Sequence, residues 1–244
     1  MTITSPRARL PWLAALAGLV LSAGAGPAVG ATATPADAVT AATAATAATP
    51  TAASVPYYSQ QLNDDCEAAA LRMVLAARGV TTDDQEVLDR IGVDLAHPEF
   101  GHSGPLSGDP FEAFVGDPDG SEEDGTGFGV YHPPVAKAAR GYGLTVLEDG
   151  QDLPTATLKE HLAAGHPAIV WVDYLWRHLA TTTYTAYDGR SVPYAGPAEH
   201  TVVVTGFSNG RVSLNDPARG RTTVSEKDFE NGYATYGHMA VVVD

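Results

Sequence analysis

The chain has 244 residues and carries 14 basic and 29 acidic side chains, which gives a formal charge of −15 at neutral pH. This charge argues against nucleic acids and anionic membrane surfaces as partners, because both repel an acidic protein. The chain contains one cysteine, Cys66, so it cannot form an internal disulfide.

The first 30 residues have the layout of a secretory signal peptide. Arg7 and Arg9 precede an apolar run over residues 10–20, and small residues follow up to Gly30. The apolar run is shorter than the roughly 20 residues that a membrane-spanning helix needs. We therefore predict that residues 1–30 are removed and that the protein is secreted, with no membrane contact afterwards.

Residues 31–53 consist mainly of alanine, threonine and proline and repeat the triplet Ala-Ala-Thr. Such a segment cannot bury a core, so we predict a linker or a propiece. The remaining residues, 54–244, have the length of one domain with an ample core.

The spacing of apolar residues predicts helices first and strands later. The predicted helices cover residues 66–78, 82–91, 132–140 and 157–164. Thr82 and Gln85 form the capping box expected at the start of the second helix. Strand-length β-branched runs cover residues 168–172, 201–205, 211–214 and 240–243. Asn209-Gly210 predicts a hairpin between the second and third runs, and the whole pattern indicates an α+β fold.

Cys66 is the candidate nucleophile because it begins the first predicted helix. The positive end of the helix dipole favours the thiolate, which is the reactive form of cysteine. Exported proteins usually pair their cysteines, so an unpaired one is either a small buried apolar side chain or a reactive thiol. Both interpretations remain open on this residue alone.

His200 and Asp216 form a candidate catalytic pair on the predicted hairpin. A hairpin loop of three residues, 208–210, would place Asp216 opposite Val202, on the same side as His200. A loop of two residues would instead place Asp216 on the opposite side of the hairpin from His200. Asp216 would orient the imidazole, and His200 would act as base and then as acid.

Gln60 is the candidate oxyanion donor, together with the backbone N–H of Cys66. Taken alone, Gln60 is an ordinary surface glutamine and His200 an ordinary strand-edge histidine. Only their combination with Cys66 and Asp216 favours a hydrolytic site.

These residues, in this order, carry a resemblance to a known family. The chain resembles papain-like cysteine peptidases of the bacteriocin-processing, double-glycine-leader type, and more closely their stand-alone secreted relatives. The matching segments are Gln60 with Cys66 and residues 109–118, 127–134, 165–172, 200–207 and 215–217. The resemblance implies a papain-like fold, with the helix that carries the cysteine packed on a mostly antiparallel sheet. It also implies Cys66 as nucleophile, His200 as base, Asp216 as orienting residue and Gln60 as oxyanion donor.

The chain departs from the leader-processing peptidases directly after the cysteine. Those enzymes usually have glycine there, whereas this chain has Glu67 followed by Ala68. A carboxylate beside the nucleophile opposes thiolate formation unless it points to solvent or caps the helix. This departure bears on catalytic strength more than on the fold.

We expect no cofactor and no metal. Three histidines and the acidic run 117–124 leave a metal site, and calcium in that run, as an alternative to a solvated loop, although the run lacks the EF-hand ligand order. The histidines concerned are His97, His102 and His132.

The sequence predicts a secreted cysteine peptidase or amidase that acts on a peptide or protein substrate through an acyl-enzyme. Two alternatives use the same residues. One is acyl or peptidyl transfer, in which an amine replaces water. The other is a non-catalytic binding module for cell-wall peptides or a partner protein. The sequence does not define the oligomeric state.

Overall fold

A computed structural model of the protein describes residues 54–244. The predicted signal peptide, 1–30, and the predicted linker, 31–53, lie outside the described residues. The helices are α1 (Cys66–Ala77), α2 (Asp84–Ile91), α3 (His132–Gly141), α4 (Thr155–Ala163) and α5 (Glu226–Thr235). Within residues 54–244, no helix combines the length and apolar character required to cross a membrane.

The strands form one large sheet and two small ones. They are β1 (Val93–Asp94), β2 (Phe114–Gly116), β3 (Gly127–Gly129), β4 (Val146–Gly150), β5 (Ala168–Asp173), β6 (Thr182–Thr185), β7 (Ser191–Tyr194), β8 (Glu199–Ser208), β9 (Arg211–Asp216), β10 (Gly220–Ser225) and β11 (Ala240–Val243). The large sheet has the order β10-β9-β8-β5-β11-β4, and every neighbouring pair in it is antiparallel. The α+β prediction is confirmed.

The large sheet is covered on both faces, and each face has its own apolar core. Alternate residues of β5 show this division, because Ile169 and Trp171 pack with α1, α2 and α3, whereas Val170 and Val172 pack with α4 and α5. A strand that is buried on both faces has apolar residues at successive positions, and this pattern is why β5 can be predicted from the sequence.

Helix α1 carries the cysteine at its first residue and is buried along most of its length. Its neighbour α2 does not begin as predicted. The expected capping box of Thr82 and Gln85 is wrong, because Asp83 occupies the N-cap position and accepts a hydrogen bond from the backbone N–H of Glu86 at 2.8 Å. Aspartate is a stronger N-cap than threonine, so Asp83 caps the helix in place of Thr82 and the first helical residue is Asp84.

The hairpin between β8 and β9 has a loop of two residues, not three. Ser208 pairs directly with Arg211, and the connecting Asn209 and Gly210 have φ angles of 52° and 72°. Both residues adopt the left-handed conformation that a type I′ turn requires.

With this shorter loop alone, Asp216 and His200 would lie on opposite sides of the hairpin. A bulge in β8 brings them back to the same side. The register shifts between Val204 and Gly206, so Thr205 is an extra residue on the β8 side. Beyond the bulge, Asp216 and His200 lie on the same side of the hairpin. The predicted juxtaposition is therefore present, although the predicted loop length is wrong.

Candidate active site

Cys66 lies at the N-terminus of α1 and faces a cavity of about 390 Å³. Gln60 and His200 line the same cavity, so three of the four predicted site residues meet there. Only 5% of Cys66 is exposed. The site is a narrow cleft between the start of α1 and the start of β8.

Asp216 completes the site from behind His200. The ring nitrogen Nε2 of His200 lies 2.8 Å from Oδ1 of Asp216, and both side chains are buried. Because Nε2–H donates to the carboxylate, the neutral ring keeps its lone pair on Nδ1. Burial alone would raise the pKa of Asp216, but the hydrogen bond from His200, and the charge of that ring when it is protonated, hold it below its usual value.

Gln60 is tied to the loop that leads into α1. Its Nε2 donates to the carbonyl oxygens of Leu62 at 3.1 Å and Asn63 at 2.7 Å. Its backbone N–H donates to Pro217 O at 3.1 Å, which fixes the segment against the turn after Asp216. In this conformation, a role for the amide as oxyanion donor requires the release of one of these carbonyls.

The thiol of Cys66 forms its hydrogen bond with Glu67 and not with His200. In the part of the chain that the structure describes, Sγ donates a hydrogen bond to Glu67 Oε2 at 3.5 Å, and no bond joins it to His200. The other carboxyl oxygen of Glu67 accepts from the backbone N–H of Val130 at 2.7 Å. Glu67 is completely buried, so it neither points to solvent nor caps the helix.

Four acidic side chains contact the sulfur or line the cavity beside it, and we call them the acidic cluster: Asp64, Glu67, Glu122 and Glu199. Burial is the main cause that raises their pKa values. Repulsion from other members of the cluster adds to it for the three glutamates, and repulsion from Asp65 adds to it for Asp64. The pKa of Asp64 rises to about 7, that of Glu67 to about 8 and that of Glu122 to about 10. The pKa of Glu199 rises well above its usual value.

These surroundings oppose the thiolate that the helix dipole favours. Burial raises the pKa of Cys66 well above its usual value, and the charges of Glu67, Glu199 and Asp64 raise it further. The resting site is therefore a protonated thiol.

Sequence reasoning missed Glu199 and Glu122 as parts of the site. Glu199 directly precedes His200 at the start of the buried strand β8. Its place next to the candidate base was the one sequence signal that it belongs to the site. Glu122 lies in the acidic run 117–124, whose composition indicates only a solvated or ion-binding loop.

Two groups of side chains in the described residues bring possible metal ligands within 4.8 Å of one another: Cys66 with Glu67 and Glu199, and Asp109 with Glu112 and Asp188. In the second group, Arg190 already lies 2.6 Å from Asp109 and 3.0 Å from Glu112. His97 and His132, considered above as metal ligands, instead bond to Asp94 and Asp149.

Comparison with known proteins agrees with the geometry. The model of the Peptidase_C39-like family matches residues 52–241. The uncharacterized protein YvpB of Bacillus subtilis (strain 168) is 29% identical over 192 residues, which cover 75% of this chain and 70% of the relative.

Two solved structures are also similar. A Bacillus anthracis protein assigned as a C39-like peptidase has a TM-score of 0.67 and 25% identity, over 79% of this chain and 95% of that one. The double-glycine motif protease of an AMS/PCAT transporter, solved with its leader peptide, has a TM-score of 0.44 and 21% identity, over 79% and 91%. The family match and the first of these structures confirm the resemblance seen in the sequence. The chain belongs to the Peptidase_C39-like family.

Proposed function

We propose that the protein is a secreted cysteine peptidase or amidase that hydrolyses a peptide or amide bond through Cys66, His200 and Asp216. Family membership supports a cysteine-peptidase type of function. The observation that carries the proposal is the buried His200–Asp216 pair, which opens onto the same cavity as the Cys66 sulfur. The signal-peptide layout of residues 1–30 supports secretion.

In the acylation step, the S–H bond of Cys66 turns from Glu67 towards Nδ1 of His200. His200 takes the proton while the sulfur attacks the substrate carbonyl carbon. The backbone N–H of Cys66, at the open end of α1, stabilises the oxyanion, and Gln60 adds a second donor after it releases a loop carbonyl.

The second half of the reaction returns the site to its starting state. His200 gives its proton to the leaving amine, and the amine departs as the C–N bond breaks. A water molecule then gives a proton to His200 and attacks the thioester, which releases the acid and restores the thiol. Asp216 holds the ring in one orientation throughout.

The test is incubation of the purified secreted protein with a peptide library in ¹⁸O-labelled water, followed by mass spectrometry. We expect new carboxyl termini that carry ¹⁸O, and none with Cys66→Ser or His200→Ala. Asp216→Asn should slow cleavage by about 10²–10⁴-fold, as for other orienting carboxylates. No products from folded wild-type protein would contradict a hydrolase. Amide products formed with an added amine would instead indicate acyl transfer.

A non-catalytic binding module is the second candidate function. The observation that favours it is the resting state of the site, in which the thiol bonds to Glu67 and the amide of Gln60 bonds to its own loop. Peptides retained by the protein without any turnover would support this candidate.

A further inference from the structure

The acidic cluster lacks the positive partner that three other buried carboxylates in this protein have. Those partnered carboxylates are Asp84 with Arg72 at 3.0 Å, Asp109 with Arg190 at 2.6 Å, and Asp216 with His200 at 2.8 Å. Within residues 54–244, no lysine, arginine or histidine forms an ion pair with any member of the acidic cluster. Arg219 also lines the cavity, but its guanidinium lies 3.3 Å from Asp216.

Several oxygen atoms of the cluster also lack a hydrogen-bond donor. Glu199 is only 8% exposed and lines the cavity. Its Oε1 has a long contact of 3.4 Å from the Thr201 hydroxyl, and the described residues supply no donor to its Oε2. Buried atoms Oε1 of Glu122 and Oδ2 of Asp64 have no partner either. Buried acceptors are normally satisfied, so this set is incomplete without a donor.

A group that donates several hydrogen bonds and carries positive charge would satisfy these oxygens and hold the carboxyls in their ionised form. Ammonium and guanidinium groups have both properties, with three and five N–H donors respectively. The cavity beside Cys66, at about 390 Å³, has room for one such side chain next to the reacting amide.

We infer that the acidic cluster binds a cationic nitrogen group of the substrate, an ammonium or a guanidinium, directly beside the Cys66 sulfur. This inference rests on the proposed function, because it names the class of substrate for that site. Glu199 and Glu122 are the residues that select the cation, while Cys66 and His200 carry out the chemistry.

The inference can be tested without turnover, by the reaction of Cys66 with three methanethiosulfonates. The 2-aminoethyl reagent is cationic, the 2-sulfonatoethyl reagent is anionic and the methyl reagent is neutral. In each case the Cys66 thiolate attacks the sulfenyl sulfur, a mixed disulfide forms and methanesulfinate leaves. Rates are divided by those of free cysteine, in about 0.5 M salt so that the net charge of the protein is screened.

We expect the cationic reagent to react at least about tenfold faster than the anionic one after this correction. Glu199→Gln and Glu122→Gln should each reduce that ratio towards one. Glu160→Gln removes the same charge from the exposed face of α4 and should leave the ratio unchanged. Equal corrected rates for the two charged reagents in wild-type protein would overturn the inference, and so would a ratio unaffected by both cluster variants.

The two variants guard against a folding artefact. Glu199 is buried on β8, whereas Glu122 lies in a loop. If Glu122→Gln lowers the ratio without lowering the melting temperature, the change cannot come from a disturbed sheet. Because the rates measure the sulfur alone, a cation preference in a protein without peptidase activity would refute the proposed function and keep the cation site.

Protection of Cys66 from iodoacetamide distinguishes the two sources of the cation. Nα-acetyl-lysine amide offers only a side-chain ammonium, alaninamide offers only an α-ammonium, and Nα-acetyl-alaninamide offers neither. Protection by the first indicates a basic side chain, and protection by the second indicates the free N-terminus of a peptide. Equal protection by the neutral compound would count against the inference.

Discussion

At the scale of single residues, Glu67 controls the charge beside the Cys66 sulfur. Burial raises its pKa to about 8, so the carboxyl is neutral below that pH and negative above it. The sulfur is 3.5 Å away, and a negative charge at that distance strongly opposes the thiolate. The reactivity of the thiol should therefore rise less steeply with pH than that of an ordinary cysteine.

Glu67→Gln tests this control, because glutamine keeps the shape and stays neutral. Below about pH 7 we expect wild type and variant to react equally with iodoacetamide. Above about pH 8 the variant should react about tenfold faster, which corresponds to one unit in the pKa of Cys66. The measurement is the alkylation rate between pH 5 and 10. Superimposable profiles up to pH 10 would show that the carboxyl does not act on the sulfur.

Part of the site can be predicted from the sequence, since Cys66, His200 and Gln60 do line one cavity and Asp216 does bond to His200. The acidic cluster cannot be predicted, because its members belong to distant segments. Glu122 lines the cavity because the long excursion between α2 and α3 folds back over the start of α1, where the backbone N–H of Asp64 donates to Pro118 O at 3.0 Å. Charge composition alone assigns such a residue to solvent.

At the scale of elements, β3 supports the site through a glycine. Gly129 has a φ of +129°, and a Cβ added there would collide with Oε1 of Glu67. The glycine therefore lets Glu67 reach the backbone N–H of Val130. A side chain at position 129 would both strain the backbone and displace the carboxyl of Glu67.

We expect Gly129→Ala to destabilise the protein by about 2–4 kcal/mol, from backbone strain and the lost hydrogen bond of a buried carboxyl. Gly150→Ala is the matched control, since Gly150 ends β4 with open space around it. That variant should change stability by less than about 1 kcal/mol. Urea denaturation of both variants measures the loss in free energy of unfolding. Equal losses would mean that the fit of Gly129 against Glu67 contributes nothing to stability.

An ion pair joins the middle of α1 to the first residue of α2. Arg72 lies 3.0 Å from Asp84 and also donates to Ser59 O at 2.7 Å, next to Gln60. Burial and the neighbouring Asp65 raise the pKa of Asp84 to about 7, and Arg72 limits that rise. Removal of the guanidinium leaves two buried carboxyls facing each other.

Arg72→Met should therefore cost about 3–5 kcal/mol at pH 8, the usual effect of removing one member of a buried pair. The loss should be smaller at pH 5, where Asp84 is protonated. Arg78→Met, near the exposed end of the same helix, should cost less than about 1 kcal/mol. Denaturation curves at both pH values provide the comparison. A loss independent of pH would assign the effect to packing rather than to charge.

The elements that the sequence does not reveal are those formed by tertiary contacts. Strand β4 is an edge strand that contains Glu148 and Asp149, so it lacks the apolar run that marks β5. Helix α5 contains Gly232, which normally ends a helix. A Cβ on Gly232 would lie 2.6 Å from the ring of Trp176, so close packing explains the glycine.

At the scale of the whole molecule, the acidic cluster affects how stability depends on pH. Asp64, Glu67 and Glu122 have folded-state pKa values of about 7, 8 and 10, above their unfolded values of about 4. A raised pKa gives stability that is fully present below the unfolded value and is lost as pH rises through the folded value. Asp216 and Asp94 have lowered pKa values, so their contribution is lost on acidification.

We therefore expect the highest melting temperature between about pH 4.5 and 6, and a fall of about 5–10 °C by pH 9. The formal charge of −15 acts in the same direction, because repulsion grows as the carboxyls ionise. Melting curves at constant ionic strength measure the fall of the melting temperature with pH. Glu122→Gln should make that fall smaller. A melting temperature that rises from pH 5 to pH 8 would contradict the assignment.

Strand β11 is the last strand in chain order, yet it lies inside the large sheet between β5 and β4. Residue 243 must therefore leave the ribosome before the sheet can close, and until then both apolar cores lack a central strand. Pairing of β11 with β5 joins segments that are far apart in the chain, and such non-local pairing is slow to form. The large sheet is therefore complete, and the cavity beside Cys66 assembled, only once synthesis has passed the end of β11.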